Sequence, residues 1–189
     1  MNKLHHTMNL SDYVRVYDAA LPADVCESLI QSFQADDTHH IYNCDDIKKF
    51  TEINVIQAGW NIRDVTDVAL LYRQQYWHDC NIIEPMIDPD HSWEEFRIKQ
   101  YRVAEQEQFE PHNDVYNLKT ARRFMVMMWY LNDVVQGGET EFYRLDRTIK
   151  IQPQQGRLVM FPCTWQYLHA GLAPISNDKY IIGTYFHYQ

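Results

Sequence analysis

From Arg123 to Leu131 the chain reads RFMVMMWYL. Apolar side chains fall at both odd and even positions. Successive side chains of a strand point to opposite faces, so a strand apolar at both parities must be covered on both sides. The neighbouring segments extend the pattern. FRIKQYRV (96–103) alternates, and TIKIQ (148–152), GRLVMF (156–161) and KYIIGTYFHY (179–188) follow at short intervals. Turn residues such as Gly137-Gly138 and Pro153 separate them. Short strands in regular succession predict a β-sandwich or barrel.

Upstream the texture differs. VRVYDAALPADVCESLIQSF (14–33) reads as a short strand, a turn and a helix. Pro22 suits a first helical position, and Val25, Leu29, Ile30 and Phe33 recur at helical spacing. A second helix is predicted from about Arg63 to Cys80, where Val65, Val68, Ala69, Tyr72, Tyr76 and Trp77 share a face. The segment from Gln34 to Phe50 lacks periodicity and reads as a surface loop. NIIEPMIDPDHSW (81–93), broken by Pro85 and Pro89, reads as another. The expected fold is mainly β: a double-stranded β-helix, or jelly roll, with N-terminal helices on its larger sheet. One domain is expected over residues 1–189, with 1–94 as support and 95–189 as the catalytic core.

Composition narrows the function classes. With 46% hydrophobic residues among 189, the chain is globular. Seventeen basic against twenty-six acidic residues give a net charge of −9, which repels phosphate backbones and suits a cationic or neutral partner. Cys26, Cys44, Cys80 and Cys163 form no C-x-x-C, so reduced thiols and a cytoplasmic location are expected. MNKLHHTMNLSDY has no apolar h-region, so no signal peptide is expected, and His5 and His6 read as part of a polar arm. No apolar run approaches the ~20 residues of a membrane helix.

The stretch FEPHND (109–114) holds His112 and Asp114 two apart. With nine histidines and sixteen aspartates in the chain, about one such pair arises by chance. Its meaning depends on what lies downstream. Redox-active iron needs neutral nitrogen donors, one anionic oxygen donor and open positions, a need met by two histidines and a carboxylate on one face. The third donor is sought in His169, within YLHAG, or His187, near the terminus. His169 is favoured because Lys179 follows ten residues later, at the mouth of a buried strand. A lysine there requires a paired charge, which a dicarboxylate would provide.

Four pieces in order carry a family resemblance: FEPHND, YLNDVVQGGETEF, IQPQQGRLVMFP and LHAGLAPISNDKY. Together they resemble the Fe(II)- and 2-oxoglutarate-dependent dioxygenases, in particular the prolyl 4-hydroxylase-like branch, over roughly half the chain. The resemblance implies that His112, Asp114 and His169 are iron ligands and form the catalytic centre. It implies that Lys179 salt-bridges the distal carboxylate of 2-oxoglutarate, that Tyr101 hydrogen-bonds the same cosubstrate, and that Thr140 lines its pocket. Two departures stand out. RVAEQEQ (102–108) lacks the glycines usual before the His-x-Asp motif, and Asn177-Asp178 replaces a glycine before the basic residue.

The implied chemistry is hydroxylation of an unactivated C–H bond with release of succinate and carbon dioxide. It uses Fe(II), 2-oxoglutarate and O2, with ascorbate as reductant. A prolyl or other amino-acid side chain in a peptide or protein is the implied substrate. Tyr116, Trp165 and Tyr167 are candidates for a peptide groove, whereas Trp129 reads as core and Arg157 as a sheet-edge arginine. Loops near 35–50 and 81–94 are candidates to close over substrate. Two alternatives are an oxygenase acting on a nucleic-acid base or small metabolite, and a metal-binding interaction module without turnover.

Overall fold

The computed structural model describes residues 9–83, 86–87, 91–143 and 145–189, and the side chain of every one of these except His91. After a 3-10 turn at Leu10–Tyr13 come β1 (Arg15–Tyr17), α1 (Ala23–Ala35), β2 (Ile41–Cys44), β3 (Lys49–Asn54), α2 (Arg63–Asp79) and β4 (His91–Trp93). The remaining strands are β5 (Arg97–Tyr101), β6 (Phe109–His112), β7 (Arg123–Tyr130), β8 (Thr140–Phe142), β9 (Ile149–Ile151), β10 (Leu158–Pro162), β11 (His169–Gly171) and β12 (Lys179–Tyr188). A larger antiparallel sheet runs β1-β10-β7-β12-β5-β3-β2, with β4 also against β12. A smaller one runs β6-β11-β8-β9. Two antiparallel sheets with two helices give the expected jelly-roll-like class.

Strand parity divides the core in two. On β7 and β12, Met125, Met127, Trp129, Tyr180, Ile182 and Phe186 face the helices, where Leu29, Phe33, Val65, Ala69 and Tyr76 cover them. The opposite parity, Val126, Tyr130 and Ile181, faces the space between the sheets and meets Phe142, Ile151 and Phe161. This double burial is why RFMVMMWYL is apolar at both parities. Trp129 is fully buried on the helix side, as a core residue should be.

The segment from Gln34 to Phe50 is not a loop throughout. Residues 41–44 and 49–54 pair as a hairpin, and β3 continues the larger sheet through Ile53↔Ile98 and Glu52↔Lys99. The edge strand β2 is mostly exposed on both faces, so no apolar alternation marked it. Residues 91–93 likewise form a strand, paired with Phe186–Tyr188 of β12. Pro85 and Pro89, which suggested a loop there, lie outside the described residues. Both helices fall close to their expected bounds.

Candidate active site

The site lies between the sheets. On the smaller sheet, β6 and β11 are antiparallel neighbours whose register sets His112 directly opposite His169. The register shifts between His169 and Gly171, a bulge of the kind that re-aims side chains beside functional sites. The two imidazole centroids are 4.4 Å apart. Asp114 lies just past the end of β6, yet its carboxylate reaches both rings, with Oδ1 4.0 Å from His112 Nε2 and Oδ2 3.7 Å from His169 Nε2. One donor atom from each of the three residues lies within 4.8 Å of the others.

Each histidine is fixed by a backbone carbonyl. His112 Nδ1 donates to Glu110 O at 2.8 Å, and His169 Nδ1 to Tyr167 O at 3.0 Å. A carbonyl can only accept, so the proton sits on Nδ1 and the Nε2 lone pairs face Asp114. Burial, then the neighbouring His169, pull the pKa of His112 down to about 3, which keeps that imidazole neutral as a metal ligand must be. Phe109 stacks on His112 at 3.5 Å and Phe161 packs edge-on to His169 at 4.8 Å.

The carboxylate of Asp114 is held on one side only. The Tyr185 hydroxyl donates to Oδ1 at 2.7 Å, while the buried Oδ2 has no hydrogen-bond partner. An uncompensated buried carboxylate oxygen facing two imidazole lone pairs is costly unless a cation sits among them. The residues therefore fit a divalent metal of the kind that takes two histidines and one carboxylate. Tyr185 went unnoticed in sequence because it reads as one more aromatic in a buried strand. Burial and the Asp114 carboxylate push its phenol well up, so it stays protonated and donates. Arg123 lies 3.9 Å over its ring and is itself held by Glu94 through two contacts of 2.8 Å.

The cavity that contains these groups encloses about 770 Å³ including its mouth, and its far end is Lys179. This lysine is 2% exposed. Its Nζ donates to Gly138 O and Leu172 O, both at 3.0 Å, and lies 4.2 Å from the Tyr101 ring centroid. Gly138 and its neighbour Gly137 take φ of +75° and +72°, left-handed backbone that glycine adopts without strain. A Cβ on Gly137 would come within 2.6 Å of Ala173 O, so the turn that aims the Gly138 carbonyl at Lys179 needs glycine. Burial pulls the Lys179 pKa down to about 7, with Glu139 pulling it back up. No carboxylate forms an ion pair with it among the described residues. At Gly171 the missing side chain leaves open a position 3.7 Å from Lys179 Nζ and 4.0 Å from the Tyr101 hydroxyl.

Tyr101 and Thr140 both line this cavity. Thr140 Oγ1 is 2.5 Å from the Tyr130 hydroxyl, a second tyrosine on the cavity wall that sequence alone assigned to the core. Tyr167 requires correction. It is 4% exposed, and its hydroxyl donates to Leu10 O at 3.2 Å, so its ring is core and not groove. Trp165 and Tyr116 stand open to solvent and do not line the cavity. His187 lies beyond the cavity lining, at the far end of β12. Arg157 ties the sheet edge to Asp18 at 2.6 Å.

The two departures from the motif are built without glycine. Gln106 takes φ of +50°, and buried Glu107 closes the turn by accepting from the Arg102 backbone and guanidinium at 2.7 Å each. Asn177 and Asp178 need no left-handed backbone. Asp178 instead accepts from Val103 N at 2.9 Å and Gln100 Nε2 at 3.0 Å, which locks β12 to the strand carrying Tyr101.

Comparison with known proteins agrees with this geometry. Residues 96–187 match the family model described as the 2OG-Fe(II) oxygenase superfamily. No curated protein sequence matches. A viral collagen prolyl hydroxylase from Paramecium Bursaria Chlorella virus-1, solved as a 2OG complex, superposes with TM-score 0.69 at 19% identity, covering 94% of this chain and 97% of that one. A Pseudomonas putida prolyl-4-hydroxylase gives 0.69 at 18% identity, covering 94% and 93%. A Trichoplax adhaerens prolyl hydroxylase, in complex with a hypoxia inducible factor peptide fragment, gives 0.71 at 16% identity, covering 94% and 84%. Residues 96–187 thus carry a domain that matches the 2OG-Fe(II) oxygenase superfamily, whose members use Fe(II), 2-oxoglutarate and O2.

Proposed function

We propose that this dioxygenase hydroxylates an unactivated C–H bond of an amino-acid side chain, with a prolyl residue in a peptide as the favoured target. In this reading His112, Asp114 and His169 hold the metal through Nε2, Oδ2 and Nε2. Lys179, Tyr101 and Thr140 hold 2-oxoglutarate. The observation that carries it is the pairing of needs within one cavity: three converging donors with an orphaned carboxylate oxygen, and a buried ammonium without a counter-ion. The relatives' prolyl substrates support the target. Four cysteines without disulfides support a cytoplasmic location, and no described helix is long and apolar enough to cross a membrane.

The chain's own groups do most of the positioning. Two of the three Lys179 protons go to carbonyls, leaving the third for the distal carboxylate of the diacid. Tyr101 places a hydroxyl beside the gap over Gly171, where that carboxylate fits. Val126, Phe161 and Ile181 line the wall between the two ends and exclude water. Tyr185 holds Asp114 so that only Oδ2 is free to bind. When bound, Fe(II) with 2-oxoglutarate and O2 supplies the oxidising power, giving hydroxylated product, succinate and carbon dioxide.

Anaerobically purified protein given Fe(II), 2-oxoglutarate and then O2 should form succinate, and proline-containing peptides should stimulate it. Absence of succinate would refute the catalytic assignment. Stimulation by methylated oligonucleotides and not by peptides would redirect the substrate to nucleic acid.

A further inference from the structure

Lys99 takes no part in the reading above, yet it lies on the cavity wall. On the larger sheet, Arg97, Lys99 and Tyr101 of β5 face the cavity, beside Lys179, Ile181, Gly183 and Tyr185 of β12. The other cations on this wall have partners. Arg97 pairs with Glu95 at 2.7 Å and Glu52 at 3.4 Å, and Lys179 donates to two carbonyls. The Lys99 ammonium makes neither a hydrogen bond nor an ion pair with any described residue. Its ammonium lies over the rings of Phe50, at 4.7 Å, and Phe109, at 5.5 Å. Burial pushes its pKa down and Arg97 and Lys48 add to that, while Glu52 and Asp114 pull it up. Glu52, its cross-strand partner, is already engaged by Arg97.

The location of Lys99 limits what it can meet. It pairs in register with Ile181, two residues along from the Tyr101–Lys179 pair, or roughly 7 Å at the rise of a strand. Phe109, which it covers, is the ring stacked on His112. The ammonium therefore stands between the anchor and the metal end. A 2-oxo diacid held as proposed has its distal carboxylate at Lys179 and its other end at the metal. Neither carboxylate is left for Lys99. A partly buried cation over two aromatic rings is stabilised further by an anion, and a neutral ligand closing over it would bury it unpaired. The acidic surface repels anions at long range, but at contact distance the local cation decides.

We infer that Lys99 is a specificity-determining residue for a prime substrate that carries a carboxylate near the hydroxylated carbon. This rests on the oxygenase reading above. The carboxylate is either the α-carboxylate of a free amino acid or the side chain of an acidic residue beside the target in a peptide.

Matched probes test it. Succinate formation is measured with L-proline against L-prolinamide, and with acetyl-Pro-Glu-amide against acetyl-Pro-Gln-amide. The protein is wild type, Lys99→Met, whose unbranched chain fills the same space over Phe50 and Phe109, or Lys99→Glu. Stoichiometric Co(II) binding checks that each variant is folded. Wild type should prefer the carboxylate member of at least one pair by roughly tenfold or more in kcat/KM, and the pair that responds identifies the source. Lys99→Met should abolish the preference, and Lys99→Glu should favour acetyl-Pro-Lys-amide. Equal response to both members of both pairs, or a preference that survives Lys99→Met, would overturn the inference. A Lys99→Met protein with an unchanged probe preference and a raised KM for 2-oxoglutarate would also overturn it, assigning the cation to the cosubstrate. No succinate under any condition would sink the oxygenase reading itself, and the inference with it.

Discussion

The two ends of the cavity are built from opposite deficits. At the smaller-sheet end, His112, Asp114 and His169 present lone pairs and an orphaned oxygen, so that end lacks a cation. At the larger-sheet end, Lys179 has two protons satisfied by carbonyls and no carboxylate, so that end lacks an anion. Their supports differ too. The metal end is oriented by one side chain and two backbone carbonyls: Tyr185, Glu110 O and Tyr167 O. The anchor sits on the first residue of a ten-residue strand, fixed by a glycine turn and by register with Tyr101. A ligand that chelates a metal with one end and offers a carboxylate at the other meets both deficits at once. That complementarity is what the proposed cosubstrate reading rests on.

The largest expected effect comes from removing either end. His112→Ala or Asp114→Ala should lower succinate formation without peptide by more than roughly 100-fold, beyond what loss of a second-layer partner costs. His187→Ala, outside the cavity, should retain activity. Equal losses in all three would erase the contrast between the site and the strand end.

Lys179→Met should act on cosubstrate affinity before turnover. Truncating one partner of a buried charge pair typically costs 2–5 kcal/mol, so the KM for 2-oxoglutarate should rise roughly 30-fold or more, with part of kcat recovered at saturation. An unchanged KM would detach the anchor from the diacid.

Tyr185→Phe sharpens the comparison because it touches only the metal end. Loss of its hydrogen bond to Asp114 should weaken Co(II) affinity roughly 10- to 100-fold, the usual range for such partners, while 2-oxoglutarate affinity at saturating metal changes little.

A smaller effect is expected from pH. The free Lys179 pKa is lowered to about 7, so the ammonium is present below that value and lost above it. Anaerobic 2-oxoglutarate affinity should therefore fall by up to roughly tenfold per pH unit as pH rises through 7. In Lys179→Met this dependence should vanish.

Much of the site was legible because its residues break their surroundings. A histidine and an aspartate after a proline, a histidine beyond an apolar strand and a lysine opening another all stand out. The helices were legible from their 3.6-residue periodicity. Residues 41–44 were not, because an exposed edge strand has no apolar face to display, and 49–54 was not, because it buries Phe50 on one face and Ile53 on the other without alternation. Tyr185, Tyr130 and Lys99 were missed for the reverse reason, since each fits its strand as packing or alternation. Parity held the missing signal. Once Lys179 faces the cavity, the period of two places Ile181, Gly183 and Tyr185 beside it, and Tyr101 brings Lys99.

In the proposed reading, one cavity joins a three-ligand metal centre to a lysine-anchored diacid. This joint site is tested most directly by anaerobic titration of Fe(II) and 2-oxoglutarate, watched by visible absorption. One equivalent of Fe(II) should bind, with a charge-transfer band that appears only with both components present. That band should disappear in His169→Ala and require far more 2-oxoglutarate in Lys179→Met. Absence of the band in wild type, or one of unchanged intensity in His169→Ala, would rule out this joint site.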